Sequence, residues 1–260
     1  MKAIILAAGQ GTRLKKYTQD LPKGMLVFQG KTLIERQIDL YRKCGINEII
    51  VVRGYAADKI KYEGVRYYNN DEFSTTNMVE SLLTARTEFT DNTIVSYSDV
   101  LFDELMLRAM IDTKGDISVA VDDNWKKYWL KRYGRIDFDT ESLIIDDQNH
   151  IISIGLGNPS VDKIDARYIG LLKFSKNALT RILDLWNRDY DEYQKKPWQQ
   201  SGKCIRQAYM TDLLNAIIQN GHPVEAIRFN NGWIEFDTND DYERASQWTT
   251  DGSINQLLRM

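Results

Sequence analysis

Residues 3–7 form an unbroken apolar run that leads directly into a turn with two glycines. Such a run is typical of a strand buried on both faces, as in a parallel sheet. Parallel strands must be joined by crossovers, usually helices, so the run predicts alternating strands and helices along the chain. Ligands of open sheets bind outside the carboxyl ends of the strands. We therefore expect an α/β fold with a ligand site directly after Ala7.

The rest of the chain continues this alternation. Thr32 and Glu35 form a capping box that begins a helix, and Gly45 ends it. The pattern predicts an open, mostly parallel sheet, with a small β-rich lid or insert in the second half. Predicted strands cover 3–7, 48–53, 65–69, 93–97, 116–121, 143–146, 150–154, 168–174, 224–228 and 233–236; further helices cover 77–86, 103–112, 177–186, 208–219 and a segment that begins at Thr238.

Composition narrows the class of protein. The 260 residues include only four prolines and no linker, which favours a single domain over 1–260. The net charge is −3, so the chain lacks the excess of basic residues expected of a protein that binds nucleic acid. Two cysteines provide no disulfide framework or CxxC pair, and the first apolar run is too short for a signal peptide or a membrane span. We expect a cytoplasmic protein with no membrane partner.

The turn after the first strand carries the strongest functional signal. Gly9 and Gly11 allow a tight backbone whose N–H groups can face phosphate oxygens. Arg13 adds a fixed charge with a bidentate fork for phosphate, and Lys23 supplies a second cation. Leu14 stands where GxGxxG needs its third glycine, and no Gly-Lys-Ser/Thr follows, so the turn is neither a dinucleotide fingerprint nor a Walker loop.

The run Ala7-Ala8-Gly9-x-Gly11-Thr12-Arg13-Leu14, followed by Pro22-Lys23, resembles the signature of the sugar-phosphate nucleotidyltransferase superfamily. The resemblance covers most of the chain. It implies a Rossmann-like core with helices on both faces of the sheet, and a loop that wraps the base and triphosphate of a nucleotide. The nucleotide-binding residues that it implies are Leu6, Ala7, Ala8, Gly9, Gly11, Thr12, Arg13, Lys23, Asn77 and Ser81.

Further motifs resemble one branch, the cytidylyltransferases that activate phosphocholine, aminoethylphosphonate or phosphoglutamine. This branch implies a nucleotide-binding half over about 1–115, an acceptor-binding half over about 116–245 and a C-terminal helix over about 238–258. Its products would serve the synthesis of cell-surface polysaccharide or phospholipid precursors. The motifs are Asn77-Met78-Val79-Glu80-Ser81-Leu82, Tyr97-Ser98-Asp99, Tyr168-Ile169-Gly170-Leu171 and Gly232-Trp233-Ile234-Glu235-Phe236-Asp237-Thr238.

Three carboxylates are the candidate metal ligands. Asp99 follows the predicted strand 93–97, while Glu235 and Asp237 are two apart on a strand and so point to one face. Proteins hold Mg²⁺ through one or two carboxylates together with phosphate oxygens and waters. The resemblance implies Asp99 and Asp237 as ligands, with Glu235 close by. Taken alone, Asp99 could be a turn residue and Asp237 part of a helix cap.

The segment 122–133 combines aromatic and charged residues after a predicted strand. Its aromatic residues recur at helical spacing, which usually indicates a stripe that faces the core. Because the segment is also highly charged, we weigh a second interpretation, in which aromatic faces hold a cationic headgroup. On that interpretation the acceptor-binding residues are Trp125, Tyr128, Trp129, Arg132 and Glu141.

The expected reaction is transfer of CMP from CTP to a small phosphorylated or phosphonate amine, with Mg²⁺ as cofactor. The acceptor phosphate is already a nucleophile, so no general base is needed, and catalysis rests on positioning and charge neutralisation. The catalytic residues would be Arg13, Lys23, Asp99 and Asp237.

Two alternatives stay open. One is a sugar-1-phosphate nucleotidyltransferase that uses UTP or dTTP, and the other is a catalytically silent nucleotide-binding regulatory domain. A nicotinamide dehydrogenase is disfavoured by the missing third glycine. The sequence leaves open the acceptor, the preference for CTP over UTP and the choice between monomer and homodimer.

Overall fold

Strands and helices alternate along residues 1–259, which are the residues that the computed structural model describes. The strands are β1 (Lys2–Ala7), β2 (Val27–Phe28), β3 (Lys31–Thr32), β4 (Glu48–Arg53), β5 (Val65–Asn69), β6 (Thr93–Tyr97), β7 (Val100–Phe102), β8 (Ile117–Asp122), β9 (Glu141–Ile145), β10 (Ile151–Gly157), β11 (Arg167–Phe174), β12 (Glu225–Phe229) and β13 (Trp233–Glu235). The α-helices are α1 (Lys15–Thr18), α2 (Leu33–Lys43), α3 (Met78–Thr84), α4 (Glu104–Asp112), α5 (Trp125–Tyr133), α6 (Lys176–Tyr190), α7 (Met210–Gln219) and α8 (Asn239–Thr250).

Within residues 1–259, seven strands form the central sheet, in the order β12-β8-β11-β6-β1-β4-β5. β1 lies between β6 and β4 and runs parallel to both, with Leu6 opposite Tyr97 on one side and Val52 on the other. Only β11 in this sheet of the described chain is antiparallel to its neighbours. The expected mostly parallel, Rossmann-like sheet is confirmed.

β1 is buried on both faces, as its sequence predicts. Ala3 and Ile5 belong to one hydrophobic cluster, and Ile4 and Leu6 belong to the other. Helices α2, α4 and α5 contribute to the first cluster, and α3, α6 and α7 contribute to the second, so helices cover both faces. Burial of each large aliphatic side chain contributes about 1.5–3 kcal/mol, which fixes β1 at the centre of the sheet.

Two smaller antiparallel pairs lie outside the central sheet. β9 and β10, both predicted as strands, form a hairpin, which is the small β-rich insert of the second half. β7 pairs with β13 and so joins the end of the first half of the chain to its C-terminal part. The sequence pattern predicts β13 but not β7, because three residues are too few to show a period.

The C-terminal helix is shorter than expected. It begins after Thr238, as predicted, and Thr238 forms a capping box with Asp241. α8 ends at Thr250 and does not reach residue 258, because Gly252 adopts a left-handed φ of 77° and a 3₁₀ turn follows. In the part of the chain that the structure describes, every helix is too short or too polar to cross a membrane.

A buried polar network joins α2 to the turn between β6 and β7. Gln37 is 1% exposed, and its Nε2 donates to the carbonyls of Tyr97 (2.7 Å) and Val100 (2.6 Å). Its Oε1 accepts from Ser96 Oγ, which accepts in turn from Tyr41 Oη, both at 2.8 Å. These bonds hold the turn on both sides and so fix its position at the carboxyl end of β6.

We expect Gln37→Leu to lower the free energy of unfolding by about 2–4 kcal/mol, because it leaves two buried carbonyls without donors and a buried hydroxyl without its acceptor. Asp39→Ala is the matched control on the same helix. It removes an exposed ion pair with Lys31 and should change that free energy by less than about 1 kcal/mol. Urea unfolding measures both, and a Gln37→Leu protein as stable as the control would contradict the prediction.

Candidate active site

The glycine turn begins at the carboxyl end of β1, at the edge of the sheet where ligands of this fold bind. Gly11 has a φ of 67°, in the left-handed region that favours glycine. A Cβ added at Gly11 would lie 2.6 Å from the Cβ of Lys23. Glycine at position 11 therefore allows Lys23 to pack against the turn, while the 3₁₀ turn Thr12–Leu14 carries Arg13.

The ammonium of Lys23 lies between the carboxylates of Asp99 and Asp237 and is paired with both. Burial lowers the pKa of Lys23, but the two carboxylates raise this pKa by more than burial lowers it. The amine therefore stays charged. Arg13 Nη2 lies 3.1 Å from the other oxygen of Asp237. Two cations near the first strand thus converge on carboxylates from distant parts of the chain.

Three candidate metal ligands come together at this point. Asp99, Glu235 and Asp237 each place one carboxylate oxygen within 4.8 Å of the others. The pairing of β7 with β13 produces this arrangement, because it sets Val100 opposite Glu235. The N–H of Phe236 also donates to the carbonyl of Asp99 at 2.9 Å, which fixes the two backbones together.

The electrostatics of this cluster suit a cation. Burial raises the pKa of Glu235 to about 7; the adjacent guanidinium of Arg132 lowers it, and the carboxylates of Asp237 and Asp99 raise it. The Oδ1 atom of Asp99 is buried and has no hydrogen-bond partner among residues 1–259. Crowded carboxylates with an unsatisfied oxygen fit a hard divalent ion such as Mg²⁺, which prefers oxygen ligands.

A cavity of about 410 Å³ opens beside these groups, between the glycine turn and α3. Asn77 lines it and also caps α3, since its Oδ1 accepts from the N–H of Met78 at 3.0 Å. Ala7 is 3% exposed and lies behind the cavity wall, inside the sheet. The predicted nucleotide-binding residues that line the cavity are Leu6, Ala8, Gly9, Gly11, Thr12, Arg13, Lys23, Asn77 and Ser81.

A second cavity of about 240 Å³ adjoins the first, and both are lined by Arg13, Tyr97 and Glu235. Of the candidate acceptor-binding residues, Glu141 lines it. The sequence analysis missed several other residues of this cavity. The only sequence signal near them was the motif that begins at Tyr168, directly after Arg167. The missed residues are Asp139, Arg167, Tyr168, Tyr209 and Thr211.

Two tyrosines form one wall of the second cavity. Tyr168 Oη donates to Tyr97 Oη at 3.0 Å. Burial raises the pKa of both phenols, so they remain neutral hydrogen-bonding groups. Gly170 has a φ of 79°, and a Cβ there would lie 2.5 Å from the ring of Tyr97. The glycine therefore makes room for this ring.

The aromatic stripe of α5 does not face either cavity. Trp125, Tyr128 and Trp129 are 1%, 2% and 0% exposed and belong to the hydrophobic core. Their helical spacing marks the side of α5 that packs inward. The expectation that these three rings contact an acceptor directly is therefore wrong.

Arg132 is also buried, with 1% exposure, and it too cannot reach an acceptor. Its Nε and Nη2 atoms donate to the two oxygens of Asp241 at 2.7 and 2.9 Å. Its Nη1 lies 2.5 Å from Glu235 Oε2, and Tyr128 Oη accepts from the N–H of Glu235 at 3.0 Å. Helix α5 therefore orients a carboxylate of the metal-ligand cluster.

Comparison with known proteins identifies the family. Residues 3–189 match the model of the MobA-like NTP transferase domain. The chain is 33% identical over 259 residues to the CTP:phosphoglutamine cytidylyltransferase of Campylobacter jejuni, covering 94% of this chain and 98% of that protein. It is also 33% identical over 171 residues to a choline-phosphate cytidylyltransferase of Streptococcus pneumoniae, covering 63% of this chain and 73% of the relative.

Solved structures confirm the fold. The CTP:phosphocholine cytidylyltransferase of Streptococcus pneumoniae matches with a TM-score of 0.76 at 23% identity, over 95% of this chain and 98% of that one. The inositol-1-phosphate CTP transferase of T. maritima matches with a TM-score of 0.68 at 21% identity, over 100% and 98% of the two chains. With a family match over most of its length and a full-length relative, the chain belongs to the MobA-like NTP transferase family and is a nucleotidyltransferase.

Proposed function

We propose that this enzyme transfers CMP from CTP to a small phosphorylated or phosphonate amine and releases pyrophosphate, with Mg²⁺ as its cofactor. One observation carries the proposal: Asp99, Glu235 and Asp237 converge beside two cations in the cavity that follows the glycine turn. The names of the two similar cytidylyltransferases support CTP as the donor and a phosphorylated amine as the acceptor.

The first cavity would hold CTP, with its triphosphate toward Arg13 and Lys23. The acceptor phosphate would enter from the second cavity and attack the α-phosphorus in line. A new P–O bond forms, the bond to the β-phosphate oxygen breaks, and pyrophosphate leaves with that oxygen and its electron pair. The two cations neutralise charge on the leaving group, and their fixed positions avoid reorganisation during the reaction.

The carboxylate cluster would hold the Mg²⁺. When bound, the ion supplies additional charge neutralisation for the phosphates. Asp99 offers an unsatisfied oxygen, and Glu235 is held in place by Arg132. Asp237 is oriented by its contacts with both Arg13 and Lys23. The cluster and the two cations are in direct contact, so both would lie beside the triphosphate.

We also propose a cytoplasmic location. Cys44 and Cys204 are free thiols, as is usual for proteins of a reducing compartment. The CMP-activated product would serve the synthesis of cell-surface polysaccharide or phospholipid precursors.

We expect Asp99→Asn to reduce turnover by about 10²-fold or more, because it removes a charged ligand of the metal at the reacting centre. Pyrophosphate release from CTP with phosphocholine and phosphoglutamine, at varied Mg²⁺, measures the effect. EDTA should abolish the activity of the parent enzyme, and added Mg²⁺ should restore it.

Asp58→Asn is the control, since this aspartate has a side chain that is 71% exposed. It should leave turnover unchanged. Parent-like turnover in Asp99→Asn, or release of pyrophosphate that resists EDTA, would contradict the assignment of the metal site.

We expect Gly11→Ala to reduce kcat/KM for CTP by at least about tenfold, because the new Cβ would displace Lys23, and a displaced phosphate contact costs about 1.5–3 kcal/mol. Gly30→Ala separates this effect from backbone strain. Gly30 also has a positive φ, 79°, but a Cβ there would meet no atom of residues 1–259 within 4 Å. Both variants should lose about 1–3 kcal/mol of stability. Equal activity in the two would show that the position of Lys23 is irrelevant.

We expect CTP to be preferred over UTP and ATP by at least about tenfold in kcat/KM, which corresponds to about 1.4 kcal/mol, the size of one hydrogen bond to the base. Pyrophosphate release across four triphosphates tests this preference. Equal rates with UTP would instead favour a sugar-1-phosphate nucleotidyltransferase.

A further inference from the structure

We propose that the acceptor carries a carboxylate in addition to its phosphate and its amine, and that Arg167 binds this carboxylate. The inference rests on the proposed function. It narrows the acceptor from a phosphorylated amine to a phosphorylated zwitterion, such as an amino acid that is phosphorylated on its side chain.

Arg167 begins β11 and lines the second cavity. Its guanidinium stacks on the ring of Trp129, with Cζ 4.4 Å from the ring centroid. The ring is held in turn by a hydrogen bond from its Nε1 to the carbonyl of Phe138 at 2.8 Å. The guanidinium is therefore supported on one flat side by a fixed and fully buried residue.

Two donors of Arg167 are not satisfied. Its Nε and Nη1 atoms are buried and have no hydrogen-bond partner among the residues that the structure describes. A guanidinium cannot lose its proton near neutral pH, and donors that are removed from water without an acceptor are costly. An anionic group of a ligand in this cavity would supply the missing hydrogen-bond acceptors. Carboxylate fits the planar fork of arginine in two parallel hydrogen bonds.

This anion is distinct from the phosphates of the reaction. Arg13 and Lys23 line the nucleotide cavity, whereas Arg167 lines only the second cavity. The reacting phosphate must approach the place where the two cavities meet, which Arg13 and Glu235 both line. Arg167 is therefore available for a second anionic group at the other part of the acceptor.

The same cavity also offers acidic groups for an amine. Asp139 and Glu141 line it together with Arg167. Burial raises the pKa of Glu141, whereas the charge of Arg167 lowers it, and an ammonium group nearby would favour its charged form further. The Oγ1 atom of Thr211, also in this cavity, is a buried hydroxyl without a partner in residues 1–259. The cavity thus presents both signs of charge, as a zwitterion requires.

Phosphocholine does not complement this arrangement. Its trimethylammonium group could lie against Asp139 and Glu141, but it would leave the buried donors of Arg167 without an acceptor. Buried donors without an acceptor are costly, so the arginine selects against an acceptor that lacks a carboxylate. This selection separates phosphorylated amino acids from the other phosphorylated amines.

The test compares pairs of acceptors that differ only in the carboxylate. One pair is O-phosphoserine and phosphoethanolamine, and the other is phosphoglutamine and its decarboxylated analogue, with phosphocholine as a fifth acceptor. The full-length enzyme is assayed with CTP and Mg²⁺ for pyrophosphate release. We compare the two members of whichever pair the parent enzyme uses with the higher kcat/KM. In that pair, kcat/KM for the acceptor with the carboxylate should exceed kcat/KM for the acceptor without it by at least about tenfold, as for other charge-assisted contacts.

Arg167→Met should bring that ratio to within about threefold, through a higher KM for the carboxylate-bearing acceptor, and should leave KM for CTP unchanged. Arg167→Lys keeps the charge without the fork, so it should give an intermediate ratio, and it serves if the methionine variant does not fold. Arg135→Met is the control. Arg135 has a side chain that is 60% exposed and pairs with Asp137, so its loss should leave every ratio unchanged.

Two results would overturn the inference while the proposed function stands. One is CMP transfer that is as efficient without the carboxylate in both pairs, or most efficient with phosphocholine. The other is an Arg167→Met enzyme that loses activity equally with both members of a pair. If the parent enzyme transfers CMP to none of the five acceptors, the proposed function itself fails.

Discussion

The ammonium of Lys23, held between Asp99 and Asp237, is the interaction on which the site depends. It joins three separate parts of the chain: the segment after the glycine turn, the end of β6 and the residues after β13. Buried charges are costly unless they are paired, so Lys23 depends on both carboxylates. On the proposed function, a divalent ion would bind the same carboxylates and free the lysine for a phosphate. Binding of the metal and binding of the nucleotide would then be coupled through one side chain.

Helix α5 supports both cavities from behind, although its aromatic residues contact neither. On one side, Arg132 and Tyr128 hold the side chain and the backbone of Glu235. On the other side, Trp129 supports the guanidinium of Arg167. The rigidity of a packed core is thereby transmitted to a candidate metal ligand and to the arginine proposed to bind the acceptor. A change in the packing of α5 would alter the two sites together.

Local patterns predict the fold well, because burial on two faces and helix capping leave direct traces in the sequence, as at β1 and at Thr32. Motifs predicted that Arg13 and Asp99 lie near one another, and both line the first cavity. The aromatic stripe of α5 gave a wrong prediction of acceptor contacts, because the same spacing is typical of a face that packs in the core and of a face that binds a ligand. No sequence pattern pointed to Arg167. Its position in the second cavity follows from the antiparallel placement of β11 in the sheet, and no spacing along the chain encodes that placement.

The pairing of β7 with β13 has a consequence for synthesis of the enzyme. Lys23 and Asp237 are separated by 214 positions in the chain. Domains fold while the ribosome is still extending the chain, at roughly 5–20 residues per second. The glycine turn and Asp99 emerge early, but the carboxylates that complete the cluster emerge more than ~6 seconds later at the upper rate. During that interval the nascent chain lacks two of the three clustered carboxylates. The cluster forms only when the last strand has docked, so a stalled or truncated product lacks the complete site.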